Sequence, residues 1–195
     1  MQMKEQAAVR TSGRGARERL LAAADRLFYA QGVQTVGIDK VIEEAGVARA
    51  SLYKTFGSKD ALIEAYLEGR HDATLENLHA HLDPIAEPKE RILAVFDVQA
   101  ETFATPGFNG CAFMEATAEA PKGGVIDQAA ERFRADIRAL LTDLARQAGA
   151  PNPVLLGRQL HLLYDGGIVA ARMDKDPAIA ADAKKAAALL LADLP

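Results

Sequence analysis

Residues 35–62, TVGIDKVIEEAGVARASLYKTFGSKDAL, decide the fold. Ile38, Val41, Ile42 and Ala45 fall at helical spacing and stop at Gly46. After the turn Gly46-Val47-Ala48, a second short segment carries Leu52, Tyr53 and Phe56 and ends at Gly57. Two short helices joined this closely must cross steeply. Gly46 permits the turn, and Ala45, Val47 and Leu52 supply a small shared core. That is the physical requirement of a helix-turn-helix, whose second helix enters the major groove with its N-terminal residues toward the base edges. Here those residues are Arg49, Ala50 and Ser51, followed by Tyr53 and Lys54.

Working outward, Leu20, Ala24, Leu27 and Phe28 make one face of a preceding helix, with Gly32 suited to a left-handed closing turn. Ser58 is placed to cap a fourth helix, with Asp60 in its first turn and Leu62, Ala65, Tyr66, Leu75, Leu78 and Leu82 running on toward Pro84. Pro88 opens a fifth helix that ends before Pro106-Gly107, and a short sixth spans Cys111 to Glu119. Ile126, Ala130, Phe133, Ile137, Leu140 and Leu144 define a seventh, closed by Gly149 and Pro151. Asn152-Pro153 and Asp176-Pro177 each read as a cap followed by proline at the first helical position. No sustained alternation appears, so the expectation is an all-α chain of about nine helices: a flexible basic arm at 1–13, a three-helix helix-turn-helix domain at 14–60 and a helical regulatory and dimerisation domain at 61–195.

Charge follows the same division. Through residue 60, ten basic residues face seven acidic ones, a balance of +3, so the remainder carries −7 to give the net −4. A basic head on an acidic body orients the molecule on a polyanion. The start lacks the apolar stretch of a secretory signal, and the longest apolar run, Ala186 to Ala192, is far short of the ~20 residues of a membrane helix. The expectation is a cytoplasmic protein with no membrane partner. The single cysteine, Cys111, forms no internal disulfide and no multi-cysteine zinc site.

The head resembles the TetR family of transcriptional repressors. The likeness runs from Arg14 to about Leu67 and rests on Leu27-Phe28, Gly32, Ala45-Gly46-Val47, Leu52-Tyr53, Phe56 and Ser58-Lys59-Asp60-Ala61-Leu62 in register. The resemblance implies that Tyr53 and Lys59 clamp phosphates while residues from Arg49 to Lys54 read bases. It also implies a homodimer on a double-stranded operator, released by a small apolar or aromatic effector. Gly37 stands where many members carry a capping Thr or Ser that touches phosphate, and Ala48 where relatives often have Ser; glycine still serves as an N-cap with little loss. Tyr53 remains open to a second reading as a core aromatic and Arg49 as a solvated charge. Lys4, Arg10, Arg14 and Arg17 are either DNA contacts or a solubilising tail.

In the penultimate helix, Leu160, Tyr164, Gly167 and Ala171 are spaced four, three and four, and Ala183, Ala187, Leu190 and Leu194 repeat that spacing in the last. The two seams suit packing against a second copy, or closure of the chain's own core. Phe96, Phe103, Phe108, Phe113, Met114 and Tyr164 are candidate lining for an effector cavity between the fifth and eighth helices, with Cys111 and His161 beside them; each is equally a core residue. No phosphate loop, nucleophile elbow, HExxH pair or metal set is present in the sequence, which argues against an enzyme and calls for no cofactor or metal. A constitutive DNA binder without effector and a helical enzyme without a recognisable motif are the competing classes.

Overall fold

The computed structural model describes residues 15–194; the expected basic arm and Arg14 lie outside them. Nine helices and no strand are present among the described residues: α1 (Ala16–Gln31), α2 (Ile38–Ala45), α3 (Arg49–Phe56), α4 (Lys59–Leu82), α5 (Pro88–Ala104), α6 (Ala112–Glu119), α7 (Val125–Gln147), α8 (Pro153–Asp174) and α9 (Ile179–Leu190). None is long and apolar enough to cross a membrane.

The head forms because α1, α2 and α3 each own one apolar stripe. Leu20, Ala24 and Phe28 of α1, Val41 and Ala45 of α2 and Leu52 of α3 are all buried together. The turn between α2 and α3 is made by Gly46 at φ 60° and ψ 42°, its N–H donating to Glu43 O at 3.1 Å while Val47 N–H reaches Ile42 O at 3.3 Å. Gly32 closes α1 at φ 88° and ψ 146°, an extended conformation on the positive-φ side rather than the left-handed helical turn that the sequence suggested. That region is open essentially to glycine alone.

Ser58 Oγ accepts from Ala61 N–H at 3.1 Å and starts α4. The first half of α4 gives Leu62, Ile63, Tyr66 and Leu67 to the head, and its second half gives Leu78 and Leu82 to the body. Around it α5, α7 and α8 pack as a bundle, with the short α6 lying over α4 and α7. Asn152 Oδ1 caps α8 by accepting from Leu155 N–H at 3.1 Å, and Pro153 takes the first helical position. The matching signal at Asp176-Pro177 acts differently. Asp176 Oδ1 accepts from Ala178 N–H at 2.9 Å and makes a turn, so α9 begins two residues past the proline, at Ile179. α9 then closes the body against α5 and α8, with Lys184 Nζ 2.7 Å from Asp97.

The tightest crossing is α7 on α8. A Cβ added at Gly157 would lie 2.4 Å from Thr142 Oγ1 and 2.9 Å from Thr142 Cα, so only glycine lets the backbones approach this closely. Gly166, on the opposite side of α8, has nothing within 4 Å of such an atom. Gly157→Ala should therefore destabilise the protein by about 1–3 kcal/mol through overpacking. Gly69→Ala, at an exposed helical position of α4 with nothing within 4 Å of the added atom, should be neutral or stabilise slightly through helix propensity. Urea denaturation of the two variants checks this, and equal stability of the pair would show that the crossing relaxes freely.

Candidate nucleic-acid interface and internal cavity

α2 is fixed to α1 by Arg26 Nη2 on Glu44 Oε1 at 2.7 Å and by Lys40 Nζ donating to Gln31 Oε1 at 2.6 Å. With that helix held, α3 turns its Leu52 inward and leaves Arg49, Ala50, Tyr53 and Lys54 exposed, with Ser51 partly covered. Tyr53 is 46% exposed, which removes the core-aromatic reading. Arg49 is not a free charge: Nη1 donates to Asp39 Oδ1 at 2.7 Å and the guanidinium carbon sits 5.9 Å from the Tyr53 ring centre. The Tyr53 hydroxyl, and after it the Asp39 carboxylate, hold the Arg49 proton more firmly than usual. Asp39 was not singled out in the sequence, because an acidic residue in a first turn reads simply as a favourable helix-end charge.

Lys59 Nζ donates to Gln34 O at 3.4 Å, which brings the start of α4 beside the loop before α2. Gly37 and Ala48 supply no side-chain cap to α2 and α3. Lys40 N–H and Ser51 N–H donate to Gly37 O and Ala48 O at 3.2 and 2.9 Å, which leaves the first two N–H groups of each helix without a side-chain cap, an arrangement suited to phosphate oxygens. Arg17 lies over the Phe56 ring at 5.7 Å and so covers the far end of α3.

Where the head meets the body is a cavity of about 290 Å³, walled by α1, α4, α5, α7, α8 and the loop and helix around α6. Of the expected residues, Phe103, Phe108, Cys111, Phe113 and Tyr164 line it. Phe96 does not: at 1% exposure it packs from α5 into the core. Met114 faces a separate cleft of about 40 Å³. His161 turns instead toward a surface groove with Arg134, Arg138, Arg158 and Asp165. Its Nε2 is 3.6 Å from Asp165 Oδ1, and burial, against the pull of Asp165, lowers its pKa. The spacing of these three residues placed them on the right helices but not on the right faces. The wall also contains residues that sequence reasoning missed, above all Phe133, stacked on Phe113 at 4.1 Å, and the polar pair Tyr29 and Arg70.

The family described as bacterial regulatory proteins, tetR family, is matched by residues 20–66. A solved TetR-family transcriptional regulator from Streptomyces coelicolor is 34% identical, with a TM-score of 0.87 over 92% of this chain and 95% of that one. This chain belongs to the TetR family of transcriptional regulators. Among curated relatives, an HTH-type transcriptional regulator of Mycobacterium tuberculosis is 33% identical over 78 residues, or 40% of this chain and 39% of that protein. The regulator EthR of Mycolicibacterium smegmatis is 25% identical over 182 residues, or 88% of this chain and 81% of its own. The chain thus spans about two fifths of the length of the first curated relatives it matches.

For a TetR-family chain, the C-terminal seam read from the sequence is misplaced. Leu160, Tyr164, Gly167, Ala171 and Ala187 are buried inside the protomer, and Ala183 packs against that core. Gly167 lets α8 approach Gln99 of α5 and Ala183 of α9. Leu194 is half-buried against the same core, and only Leu190 is exposed. The large apolar side chains left outside on α8 are Val154, Leu155, Leu162 at 72%, Val169 and Met173 at 75%, joined by Leu189 on α9. α8 carries two apolar stripes, and helical spacing alone does not say which one faces inward.

Cys111, in the cavity wall, is set by its surroundings. Burial pushes the thiol above its ordinary value, while the Met114 and Phe113 backbone N–H groups pull it down. A raised pKa means less thiolate at any given pH, so Ellman's reagent at about pH 8 should react at least tenfold more slowly with the folded TetR-family chain than with the urea-unfolded chain. The neutral thiol's contribution to stability is complete below its unfolded value of ~8.5 and is lost as pH rises through the folded value. Equal rates in both states would show an exposed thiolate.

Proposed function

We propose that the chain represses transcription as a cytoplasmic homodimer on a palindromic operator and is released when a small, largely apolar or aromatic molecule occupies the cavity. The observation that carries this reading is α4. One helix begins at Lys59, beside the recognition helix, and lines the cavity further along with Arg70, Thr74 and Leu78 before it ends at Leu82. Tyr53, Lys59 and the uncapped start of α2 at Gly37 take phosphates, Arg49, Ala50, Ser51 and Lys54 face the base edges, and the arm with Arg14 adds contacts along the backbone. The second copy packs on the exposed stripe Leu155, Leu162, Val169 and Met173 with Leu189 and Leu190, since a contiguous apolar patch of this kind marks an association surface. The role is binding, with no catalysis and no cofactor.

Lys59→Ala should weaken binding to every duplex and lower the salt slope by roughly one unit. Arg49→Ala should cost about 1–3 kcal/mol on operator DNA and much less on unrelated DNA. Fluorescence anisotropy of operator and scrambled duplexes across a salt series measures both. Equal losses on the two duplexes would make Arg49 a phosphate contact. Binding as a monomer to one half-site would overturn the dimer.

Leu162→Glu should leave the fold intact, because the side chain is already in water, and should abolish the dimer in analytical ultracentrifugation. An unchanged sedimentation coefficient would place the second copy elsewhere.

A further inference from the structure

The cavity wall carries one charged side chain among the described residues, Arg70. Its Nε donates to Asp25 Oδ1 at 2.6 Å, and its guanidinium carbon lies 3.9 Å above the Tyr29 ring centre. Asp25 is outside the wall and holds only the Nε edge; no other hydrogen bond of the guanidinium is formed among the described residues. A guanidinium has five donors in a fixed fork, so its terminal N–H groups are unspent.

Several other polar groups of the wall are already committed, and those that form no hydrogen bond among the described residues, the buried Gln99 Oε1, the Asn77 amide and the Tyr164 hydroxyl, are neutral. Thr74 Oγ1 donates to Arg70 O and Thr102 Oγ1 to Val98 O, both at 2.8 Å, while Gln99 Nε2 donates to Tyr164 O at 2.9 Å. The Tyr29 hydroxyl donates to Gly110 O at 3.0 Å and accepts from Asn109 N–H at 2.9 Å. A cationic ligand would find no carboxylate in the wall, whereas an anion meets a half-satisfied guanidinium. The phenylalanines supply aromatic faces, with Phe103 and Phe108 5.0 Å apart and Phe113 stacked on Phe133. The volume of about 290 Å³ is at the small end for ligand sites.

We infer that the effector is a small aromatic carboxylate whose carboxylate pairs with the terminal nitrogens of Arg70 and whose ring lies among the phenylalanines. The inference rests on the effector-released reading above and names the ligand class for that same cavity. A carboxylate on the terminal nitrogens sets a second anion against Asp25 across one guanidinium and draws its charge away from the Nε–Asp25 bond, and Asp25 and Tyr29 both belong to α1 of the head. Occupancy thereby weakens the hold of α4 on α1, which is the differential interaction a ligand needs to shift DNA affinity.

The test uses benzoate, cinnamate and naphthoate, each beside its neutral amide, in isothermal titration of the DNA-free protein and in operator anisotropy. At least one carboxylate should bind about tenfold more tightly than its amide. Arg70→Gln should abolish that preference, with circular dichroism confirming the fold. Asp25→Asn, which frees Arg70, should raise carboxylate affinity severalfold while leaving amide affinity unchanged, a split that a merely structural role for Arg70 would not produce. Binding of amides as tightly as carboxylates, binding of no probe, or an Asp25→Asn effect equal on both classes would overturn the inference. Carboxylate binding without any loss of operator affinity would keep the ligand class and overturn the effector reading, while absence of operator binding by the free protein would overturn the regulator reading alone.

Discussion

α4 has to bury its first half in one core and its second half in another without a break, and most of the architecture answers to that requirement. Leu62, Ile63, Tyr66 and Leu67 lock it to α1 through contacts that include the edge-on pair of Phe28 and Tyr66 at 5.6 Å between ring centres. A fully buried Leu or Ile is worth roughly 1.5–3 kcal/mol, so these four residues alone outweigh any surface ion pair in the head. Leu78 and Leu82 anchor the other end against the bundle. Between the two anchored halves lies the stretch from Arg70 to Thr74, less completely buried, and it is there that the cavity meets the helix. A rigid rod held at both ends transmits displacement from its middle more readily than a jointed linker would.

The parts of the molecule that were legible in the sequence are those fixed by local rules. The helix-turn-helix could be read because Gly46, the spacing of Val41, Ala45 and Leu52, and the Ser58 cap each act within a few residues. The cavity was half legible: Phe103, Phe108 and Phe113 flank one short loop, so finding one located the others. Arg70 and Tyr29 were not legible, because their meaning depends on partners 45 and about 80 residues away. The seam read for a second copy is core for a more general reason. The stripe Leu160, Tyr164, Gly167, Ala171 has ideal helical spacing because it is core, and the exposed stripe offset from it has the same period. Composition does not separate them; only the crossing of α7 at Gly157 settles which side of α8 faces in.

The head's surface electrostatics suit exchange rather than stability. The Arg49–Asp39 pair is solvent-exposed on both sides, with side-chain exposures of 60% and 74%, and such pairs contribute little to folding. Its effect is to hold the Arg49 fork in one place over Tyr53, lowering the ordering cost of any later contact. Arg26–Glu44 is also exposed, and it ties α1 to α2 as Arg49–Asp39 ties α3 to α2. The two pairs thus brace α2 on both sides, and the one at the start of α3 also orders a side chain of the exposed face.

The distance from cavity to recognition helix is bridged by few groups. From α4, Arg70 reaches Asp25 and Tyr29, which are four apart on one face of α1. From the loop before α6, Asn109 and Gly110 make three hydrogen bonds to the same Tyr29, and Arg172 of α8 donates to Asn109 O at 3.2 Å. Two independent walls of the cavity thus grip one turn of α1, and α1 packs directly on α3 through the head core. Allosteric couplings of roughly 1–3 kcal/mol suffice to change affinity many-fold, and the net worth of a hydrogen bond is about 1 kcal/mol. Loss of one or two contacts at Tyr29 or Asp25 is therefore enough on its own scale, and no long chain of side-chain rearrangements has to be invoked between the cavity and the DNA-facing helix.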